Sequence, residues 1–348
     1  MKTQTKFCKW GLMLATLFVA LTTTSCKEGF IYEGEGDCGT YYNIKFKYDY
    51  NMKFADAFSN EVNSVALFVF GEDGLLVESV VESDKAKLSA AEFAIPLELE
   101  SGNYELVAWA GLMDEESFDL LTNVEVGKTK KEELQVAIAK RKSAGGVTSV
   151  EEDLLPLYHG SMPLVCSSEP GTYTETVSLT KDTNVVRIVL QQMSDGVVAE
   201  NFRYEITADN GLLDWNNAVI PNETLYYRPW SISTGTAEVD PGYSTSSVTR
   251  NSQVSVAVAE FTISRMIDGQ SPILTIWNVE ENKRVLSIPI ADYALLVKGY
   301  YNREMSNQEY LDRQDEYNMT FFLDEGGKWL SASIIINSWR VVLNNDIL

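Results

Sequence analysis

The clearest chemistry in this chain belongs to Cys26, which follows a short apolar segment near the N-terminus. Three lysines among the first nine residues give a positive start, and residues 11–21 are almost entirely apolar. About a dozen apolar residues are too few to cross a bilayer core of ~30 Å as a helix, so the segment is typical of a secretory signal. Small residues at positions 23–25 directly precede the cysteine. The pattern predicts removal of residues 1–25 and acylation of Cys26, for example with palmitate; an ordinary signal with an incidental cysteine is the alternative.

Two further cysteines are candidates for a disulfide. Cys8 leaves with the signal, so Cys38 and Cys166 remain beside the lipidated residue. In an oxidising compartment they could form one bridge across the first domain. Two separately buried thiols are the alternative, because the sequence does not show whether the two Cα atoms come within ~7 Å.

Catalysis by histidine would depend on His159, the one histidine of the chain. It is flanked by apolar and turn residues, which favours a histidine held by a local hydrogen bond over a general base. No HExxH, paired-histidine or CxxC spacing occurs, and the acidic runs at 151–153 and 280–281 lack the spacing of a calcium loop. We therefore expect no metal, no cofactor and no enzymatic activity. A hydrolase remains a distant alternative, since two carboxylates that converge in space cannot be recognised in a sequence.

The charge of the chain excludes several partners. The net charge is −22, and it becomes −25 once a signal with three lysines and no acidic residue is removed. Such a chain repels nucleic acid and anionic lipid headgroups. Membrane attachment must then come from acyl chains on Cys26, of which two or more hold a protein firmly.

Three tryptophans offer a different chemistry, the stacking of sugar rings. Trp109, Trp230 and Trp277 each lie in or beside an apolar run. That position favours packing in a core, and a glycan-binding surface is the alternative.

Short alternating segments with polar turns between them predict a mostly β chain. Residues 291–301 and 304–313 carry modest helical signals, and the polar stretch 140–153 predicts a long loop. The pattern predicts two β-sandwich domains in tandem: a tether at 26–39, then domains at 40–180 and 181–348. The predicted strands cover residues 42–48, 65–70, 75–81, 93–99, 104–109, 134–138, 157–165, 173–179, 185–190, 202–208, 254–263, 272–277, 285–290 and 316–323.

The last ten residues form an amphipathic strand pattern. Trp339, Val341, Leu343 and Ile347 alternate with polar residues, and no polar tail follows. Such a strand can complete its own sheet, or it can be lent to a neighbouring subunit by β-augmentation. The pattern favours neither of these two roles over the other.

Several stretches together resemble the FimB-type fimbrial anchor family, the lipoproteins at the base of protease-processed (type V) pili. The resemblance implies two transthyretin-like Greek-key sandwiches with short helices. It also implies a role in tethering a fimbrium to the outer membrane, limiting its length and binding the first shaft subunit by strand donation. The segments that carry it are Ile31-Tyr32-Glu33, Asp37-Cys38, Tyr48-Asp49-Tyr50-Asn51-Met52, Ala55-Asp56-Ala57-Phe58, Val65-Ala66-Leu67-Phe68-Val69-Phe70, Leu157-Tyr158-His159-Gly160, Glu309-Tyr310-Leu311-Asp312-Arg313-Gln314 and Ile336-Asn337-Ser338-Trp339.

One feature separates anchor from shaft within that resemblance. Shaft pilins are cut after an arginine that follows their first strand, whereas the first arginine here is Arg141. The first strand would then be retained, together with the link to Cys26. We therefore expect a surface-exposed, lipid-anchored protein at the base of a fimbrium, with a shaft subunit as partner. A surface glycan-binding lipoprotein and a tip or minor adhesin of the same pilus are the alternatives.

Overall fold

The computed structural model describes residues 40–112, 117–192, 199–239, 252–299, 302–324 and 326–342. Of the described residues, 53% lie in strands and 10% in helices, which confirms the predicted all-β class. The helices are α1 (Phe58–Glu61), α2 (Lys85–Leu88), α3 (Ile290–Leu295) and α4 (Asn307–Arg313). The strands, numbered in chain order, are β1 Thr40–Lys47, β2 Val65–Gly71, β3 Leu76–Glu82, β4 Ile95–Glu98, β5 Gly102–Ala110, β6 Phe118–Leu120, β7 Gln135–Ile138, β8 Lys142–Ala144, β9 Val147–Val150, β10 Tyr158–Cys166, β11 Gly171–Ser178, β12 Thr180–Lys181, β13 Thr183–Gln192, β14 Phe202–Ala208, β15 Leu212–Asp214, β16 Leu225–Tyr227, β17 Ser231–Val239, β18 Ser252–Ser264, β19 Ile273–Asn278, β20 Lys283–Pro289, β21 Glu316–Leu323, β22 Trp329–Ile336 and β23 Trp339–Val342.

The first sandwich packs a three-stranded sheet, β11-β1-β4, on a five-stranded sheet, β12-β10-β5-β2-β3. β1 lies in the middle of the smaller sheet, parallel to β11 and antiparallel to β4. Its period-two sequence places Tyr42, Ile44 and Phe46 in the core and leaves Lys45 and Lys47 partly exposed. The predicted first strand is thus the central element of its sheet.

β2 is buried on both faces, which explains why its sequence is continuously apolar rather than alternating. The odd-numbered residues 65–69 face the core of the first sandwich. The even-numbered residues 66–70 pack into a second core that extends through the other half of the chain. The turn from β2 to β3 uses Gly74 at φ +75°, as the Asp73-Gly74 pair predicts for a hairpin.

Strands from both sides of residue 180 share sheets. β6 and β7 form a three-stranded sheet with β15, and β8 and β9 extend the sheet that contains β16. The prediction of a long loop at 140–153 is therefore wrong. Gly145 and Gly146, at φ +61° and +80°, form the turn of a hairpin in this polar stretch. Its pairing is completed by β16, which runs parallel to β9 and is distant in sequence. The division into domains at residue 180 stays a prediction.

The second sandwich packs two six-stranded sheets, β17-β18-β13-β21-β22-β23 and β20-β19-β14-β16-β9-β8. It repeats one topological feature of the first sandwich. In each sandwich one strand lies parallel to a strand much later in the chain, since β13 runs parallel to β21 just as β1 runs parallel to β11. The helical signals near the C-terminus correspond to α3 and α4, which are shorter than predicted.

Candidate functional site

The C-terminal strand pattern folds as the second arm of a hairpin. β22 and β23 are joined by Asn337 and Ser338, both at positive φ (+46° and +71°), a two-residue turn suited to the twist of paired strands. The Asn337 side chain holds this turn in place: its amide donates to the Glu316 carbonyl (3.1 Å) and its Oδ1 accepts from the Asn318 backbone (2.7 Å). The hairpin is therefore fixed to β21 at its turn.

Among the described residues, β23 is the outermost strand of its six-stranded sheet. Val341 packs against the core, but Trp339 is 62% exposed and Val342 is 65% exposed. The partner of Trp339 on β22, Ile336, is 0% exposed. The apolar layer thus continues onto β23 but is left uncovered there. The other two predicted donor residues, Leu343 and Ile347, lie outside the described residues, so donation of this strand stays a prediction.

The opposite end of the described chain enters the first sandwich beside Cys166. The Ser167 backbone donates to the Tyr42 hydroxyl (2.6 Å), and the Thr40 hydroxyl donates to the Glu169 carbonyl (3.3 Å). Burial at the end of β10 raises the pKa of the Cys166 thiol. Cys26 and Cys38 lie outside the described residues, and the predicted disulfide is not tested by these contacts.

His159 is held by a hydrogen bond, as its sequence context predicts, but the partner is distant in sequence rather than local. It is buried, its ring lies edge-on to Trp109 with centroids 4.6 Å apart, and Nε2 lies 2.9 Å from the carbonyl oxygen of Trp215. Burial lowers its pKa to about 4, so the imidazole is neutral near pH 7 and Nε2–H can donate to that carbonyl. Its role is to join the first sandwich to the turn after β15.

The three tryptophans have different surroundings. Trp109 is fully buried, as predicted. Trp277 is half-buried and carries the Arg203 guanidinium over its ring, 5.4 Å from the centroid. Trp230 is 37% exposed, so the expectation of core packing is wrong for this residue. It precedes β17, which is an edge strand of its six-stranded sheet among the described residues.

A buried charge network joins the two sandwiches, and the sequence offered no pattern for it. The Arg265 guanidinium donates to both carboxylate oxygens of Asp312 (2.9 and 2.8 Å). The Asn217 amide donates to Asp182 Oδ1 (2.8 Å), which lies 3.8 Å from Arg265 Nε. Asp182 is 0% exposed, and burial raises its pKa to about 7. Its members come from distant positions in the chain, so only the fold brings them together.

A second set of contacts lies at the same boundary between the two sandwiches. Lys181 lies 2.7 Å from Asp315 and 3.6 Å from Glu61, whose carboxylate also accepts from the Tyr158 hydroxyl (3.0 Å). The Arg313 guanidinium stacks 4.0 Å from the centroid of the Tyr50 ring. Several of these residues lie in the segments that carry the family resemblance.

The described part of the chain holds no cluster of three or more residues suited to bind a metal ion. Within the same residues, none of the helices has the length and apolar character needed to cross a bilayer.

Comparison with known proteins assigns the family. A model of the fimbrillin-A associated anchor proteins Mfa1 and Mfa2 matches residues 35–345, which is most of the chain. The chain belongs to this anchor protein family. Its relative in Porphyromonas gingivalis, the minor fimbrium anchoring subunit Mfa2, is 24% identical over 208 residues. The match covers 58% of this chain and 60% of that protein, so the chain spans about three fifths of the length of this relative.

Solved structures of similar proteins show the same fold. A candidate adhesin from Bacteroides thetaiotaomicron is 31% identical, with a TM-score of 0.77 over 89% of this chain and 100% of its own. A candidate polysaccharide-binding protein from the same species is 28% identical, with a TM-score of 0.74 and the same coverage. The fimbrial anchor protein Mfa2 from P. gingivalis is 17% identical, with a TM-score of 0.64 over 88% of this chain and 100% of its own. These anchor proteins have sandwich folds, which agrees with the two tandem transthyretin-like Greek-key sandwiches predicted for this chain. The family itself is one of fimbrial anchor proteins with a structural, adhesin-like character.

Proposed function

We propose that this protein is an outer-membrane lipoprotein that holds a fimbrium at the cell surface, ends its assembly and binds a shaft subunit by β-strand donation. The observation that carries the proposal is the position of β1. Tyr42, Ile44 and Phe46 fill the centre of the first sandwich, and no arginine precedes Arg141 at which an arginine-specific protease could release them. A chain that keeps β1 also keeps its link to Cys26.

The first arginine is itself held in the fold. Arg141 Nη1 lies 2.8 Å from Glu223 Oε1, and the other oxygen of that carboxylate accepts from the Thr148 hydroxyl (2.7 Å). A cut there would fall between β7 and β8, far from the first strand. Proteolysis at Arg141 would therefore leave β1 in place.

The partner surface is the C-terminal hairpin. β23 offers an unpaired backbone edge within the described residues and two exposed apolar side chains, Trp339 and Val342. Main-chain hydrogen bonds from such a strand give affinity, and alternate side chains fill pockets in the acceptor. Leu343 and Ile347 would extend the apolar row of Trp339 and Val341, because odd-numbered positions share one face of this strand.

The test is subunit capture by the mature chain with and without residues 339–348. We expect deletion to abolish co-purification of the shaft subunit while thermal unfolding of the first sandwich stays cooperative. In cells, Cys26→Ala should release fimbriae into the medium, and Cys8→Ala is the matched control because Cys8 lies within the predicted signal. Unchanged capture by the folded truncation, or fimbriae as firmly attached in Cys26→Ala cells, would contradict the proposal.

A surface glycan-binding role is the second candidate. It draws on the exposed Trp230 and on the similarity to a candidate polysaccharide-binding protein. Substitution Trp230→Ala should weaken polysaccharide retention in a pull-down if this role is correct, and leave subunit capture unchanged.

A further inference from the structure

An open polar cleft of about 540 Å³ lies on the second sandwich, where β14 ends and β19 begins. It is lined by the segment between β15 and β16 and by the segment between β18 and β19. All of its lining residues belong to the described part of the chain. Its volume falls in the range of about 300–1,000 Å³ that is typical of sites for small ligands.

One part of the cleft is fixed by a buried side chain, Asn210. Its amide donates to the backbone carbonyls of Ser264 and Arg265 (3.0 Å each), and its Oδ1 accepts from the hydroxyl of Tyr227 (2.7 Å). Tyr227 is buried as well. The cleft is therefore preformed around Asn210, so a ligand would bind there without the cost of ordering this part of the site.

Four other polar side chains line the cleft and have no hydrogen-bonding or charged partner within the described residues. They are Thr207, Asp209, Thr224 and Gln270. Together they offer a carboxylate, which only accepts hydrogen bonds, and an amide and two hydroxyls, which both donate and accept. This set matches a ligand that carries several hydroxyl groups, because each hydroxyl is itself both a donor and an acceptor.

An aromatic ring lies next to these polar groups. Tyr226 of β16 is paired with Thr207 of β14, and the adjacent pair, Tyr227 and Ile206, is buried in the core. Since side chains alternate along a strand, Tyr226 and Thr207 share the outer face of the sheet, where paired Cβ atoms lie about 4.5–5.5 Å apart. The partly exposed Tyr226 ring thus offers an apolar surface beside the cleft. A pyranose ring, with hydroxyls at its edge and C–H groups on its face, has the matching pattern.

The charges at the cleft favour a neutral ligand. Among the residues that line it, Arg265 is the one cation. Its guanidinium is already engaged, since it donates to both carboxylate oxygens of Asp312 (2.9 and 2.8 Å) and to the Asn217 carbonyl. The unpaired carboxylate of Asp209 would repel an acidic sugar, and the net charge of −22 acts in the same direction. The site therefore suits a neutral sugar better than a uronic acid.

We propose that this cleft binds a neutral hexose unit of a polysaccharide. Asp209 and Gln270 form hydrogen bonds with the hydroxyls of the sugar, and Tyr226 packs against the face of its ring. The inference goes beyond the anchoring role and is independent of strand donation, because no residue that lines the cleft lies on β22 or β23. It is also separate from a glycan surface at Trp230, which does not line the cleft.

The test is isothermal titration of the full mature chain with mannotriose, maltotriose and galactotriose, and with trigalacturonic acid as the acidic counterpart. We expect saturable binding of at least one neutral trisaccharide, and binding of trigalacturonic acid that is at least about tenfold weaker. Asp209→Ala should weaken the neutral sugar about tenfold or more, because hydrogen bonds to a charged group are the stronger ones. Asp119→Ala is the matched control, since Asp119 is exposed and lies outside the cleft.

Two further substitutions separate the ring of Tyr226 from its hydroxyl. Tyr226→Ala should weaken binding about three- to tenfold, whereas Tyr226→Phe keeps the ring and should retain most of the affinity. Trp230→Ala should leave the affinity unchanged. Thermal unfolding of each variant checks that it is folded, and Gln270→Ala replaces Asp209→Ala if that variant is not.

Three results would overturn the proposal. They are no saturable binding of any neutral trisaccharide up to millimolar concentrations, equal binding of trigalacturonic acid, and unchanged affinity in folded Asp209→Ala. Shaft subunit capture is measured separately on the same variants. Deletion of residues 339–348 should leave sugar binding intact, and Asp209→Ala should leave capture intact. Failure of strand donation and failure of the sugar site are therefore distinguishable.

Discussion

At the residue scale, two buried titratable groups at the junction of the sandwiches have pKa values shifted in opposite directions. Burial raises the pKa of Asp182 from 3.8 to about 7 and lowers that of His159 from 6.5 to about 4. Asp182 Oδ2 and Asn217 Oδ1 are both buried without a donor. Burial removes the Asp182 carboxylate from water, which is the physical reason that the protonated form is favoured in this environment.

Because proton binding is linked to folding, each pKa shift gives the sign of that group's contribution to the free energy of unfolding. Folded Asp182 keeps its proton up to about pH 7, so the stability it contributes is lost as the pH rises from 3.8 to about 7. Folded His159 stays neutral down to about pH 4, so its contribution is lost as the pH falls from 6.5 to about 4. Between about pH 4 and 6.5 the two effects oppose each other.

Asp182→Asn should leave the pH dependence that His159 gives to the free energy of unfolding unopposed. We expect the free energy of unfolding of the variant to fall more steeply than that of wild type below pH 6.5, by up to ~1.4 kcal/mol per pH unit, the limit for one proton. Between pH 6.5 and 7.5 the variant should lose less stability than wild type. Urea unfolding at half-unit pH intervals measures both slopes, and parallel profiles would show that Asp182 does not titrate in this range.

At the element scale, alternation predicted the strands well where one face of a strand is buried. β1, β14 and β21 all follow the period-two pattern. It failed at 140–153, where β8 and β9 are polar and depend on pairing with β16. No local pattern could show a partner strand some 75 residues away in sequence, because β propensity reflects the partner as much as the strand.

The first strand should stabilise the first sandwich strongly. Ile44 is 0% exposed in the centre of β1, so Ile44→Ala removes buried methyl groups and leaves a cavity. We expect a loss of about 3 kcal/mol in the free energy of unfolding. Lys45→Ala on the other face is the control and should cost less than about 1 kcal/mol, because its salt bridge to Glu92 is exposed. Equal effects in urea unfolding would show that β1 is not an integral strand.

At the scale of the whole molecule, the two ends of the described chain lie at different places in the fold. The N-terminal end enters beside β10 and β11, and the C-terminal hairpin lies at an edge of the second sandwich. On the proposed function, a load between membrane and fimbrium would cross the contacts of Lys181, Arg265 and Arg313. Its buried, charge-assisted contacts resist separation better than exposed ion pairs would.

A disulfide between Cys38 and Cys166 would shorten that path by fixing the tether directly to β10. We expect the oxidised mature protein to be 2 Da lighter than its reduced form, as for any pair of thiols joined with loss of two hydrogens. Reduction should lower the unfolding temperature, since a bridge over a loop of this length constrains the unfolded chain by ~4–5 kcal/mol in the entropy model. Cys166→Ser should remove both differences. Equal masses with two alkylatable thiols would instead support separate buried cysteines.

The sequence by itself determined the all-β class, most strands, the family resemblance and the lack of an early arginine, because each depends on local periodicity or on residue identity. Tertiary structure decided what depends on distant partners. It placed β1 in the middle of a sheet, left Trp339 and Trp230 exposed, and assembled a charge network from four separate stretches of chain. It also set β23 beside β22 at the edge of its sheet among the described residues. Pairing between strands is non-local, so it has no signature in either strand alone.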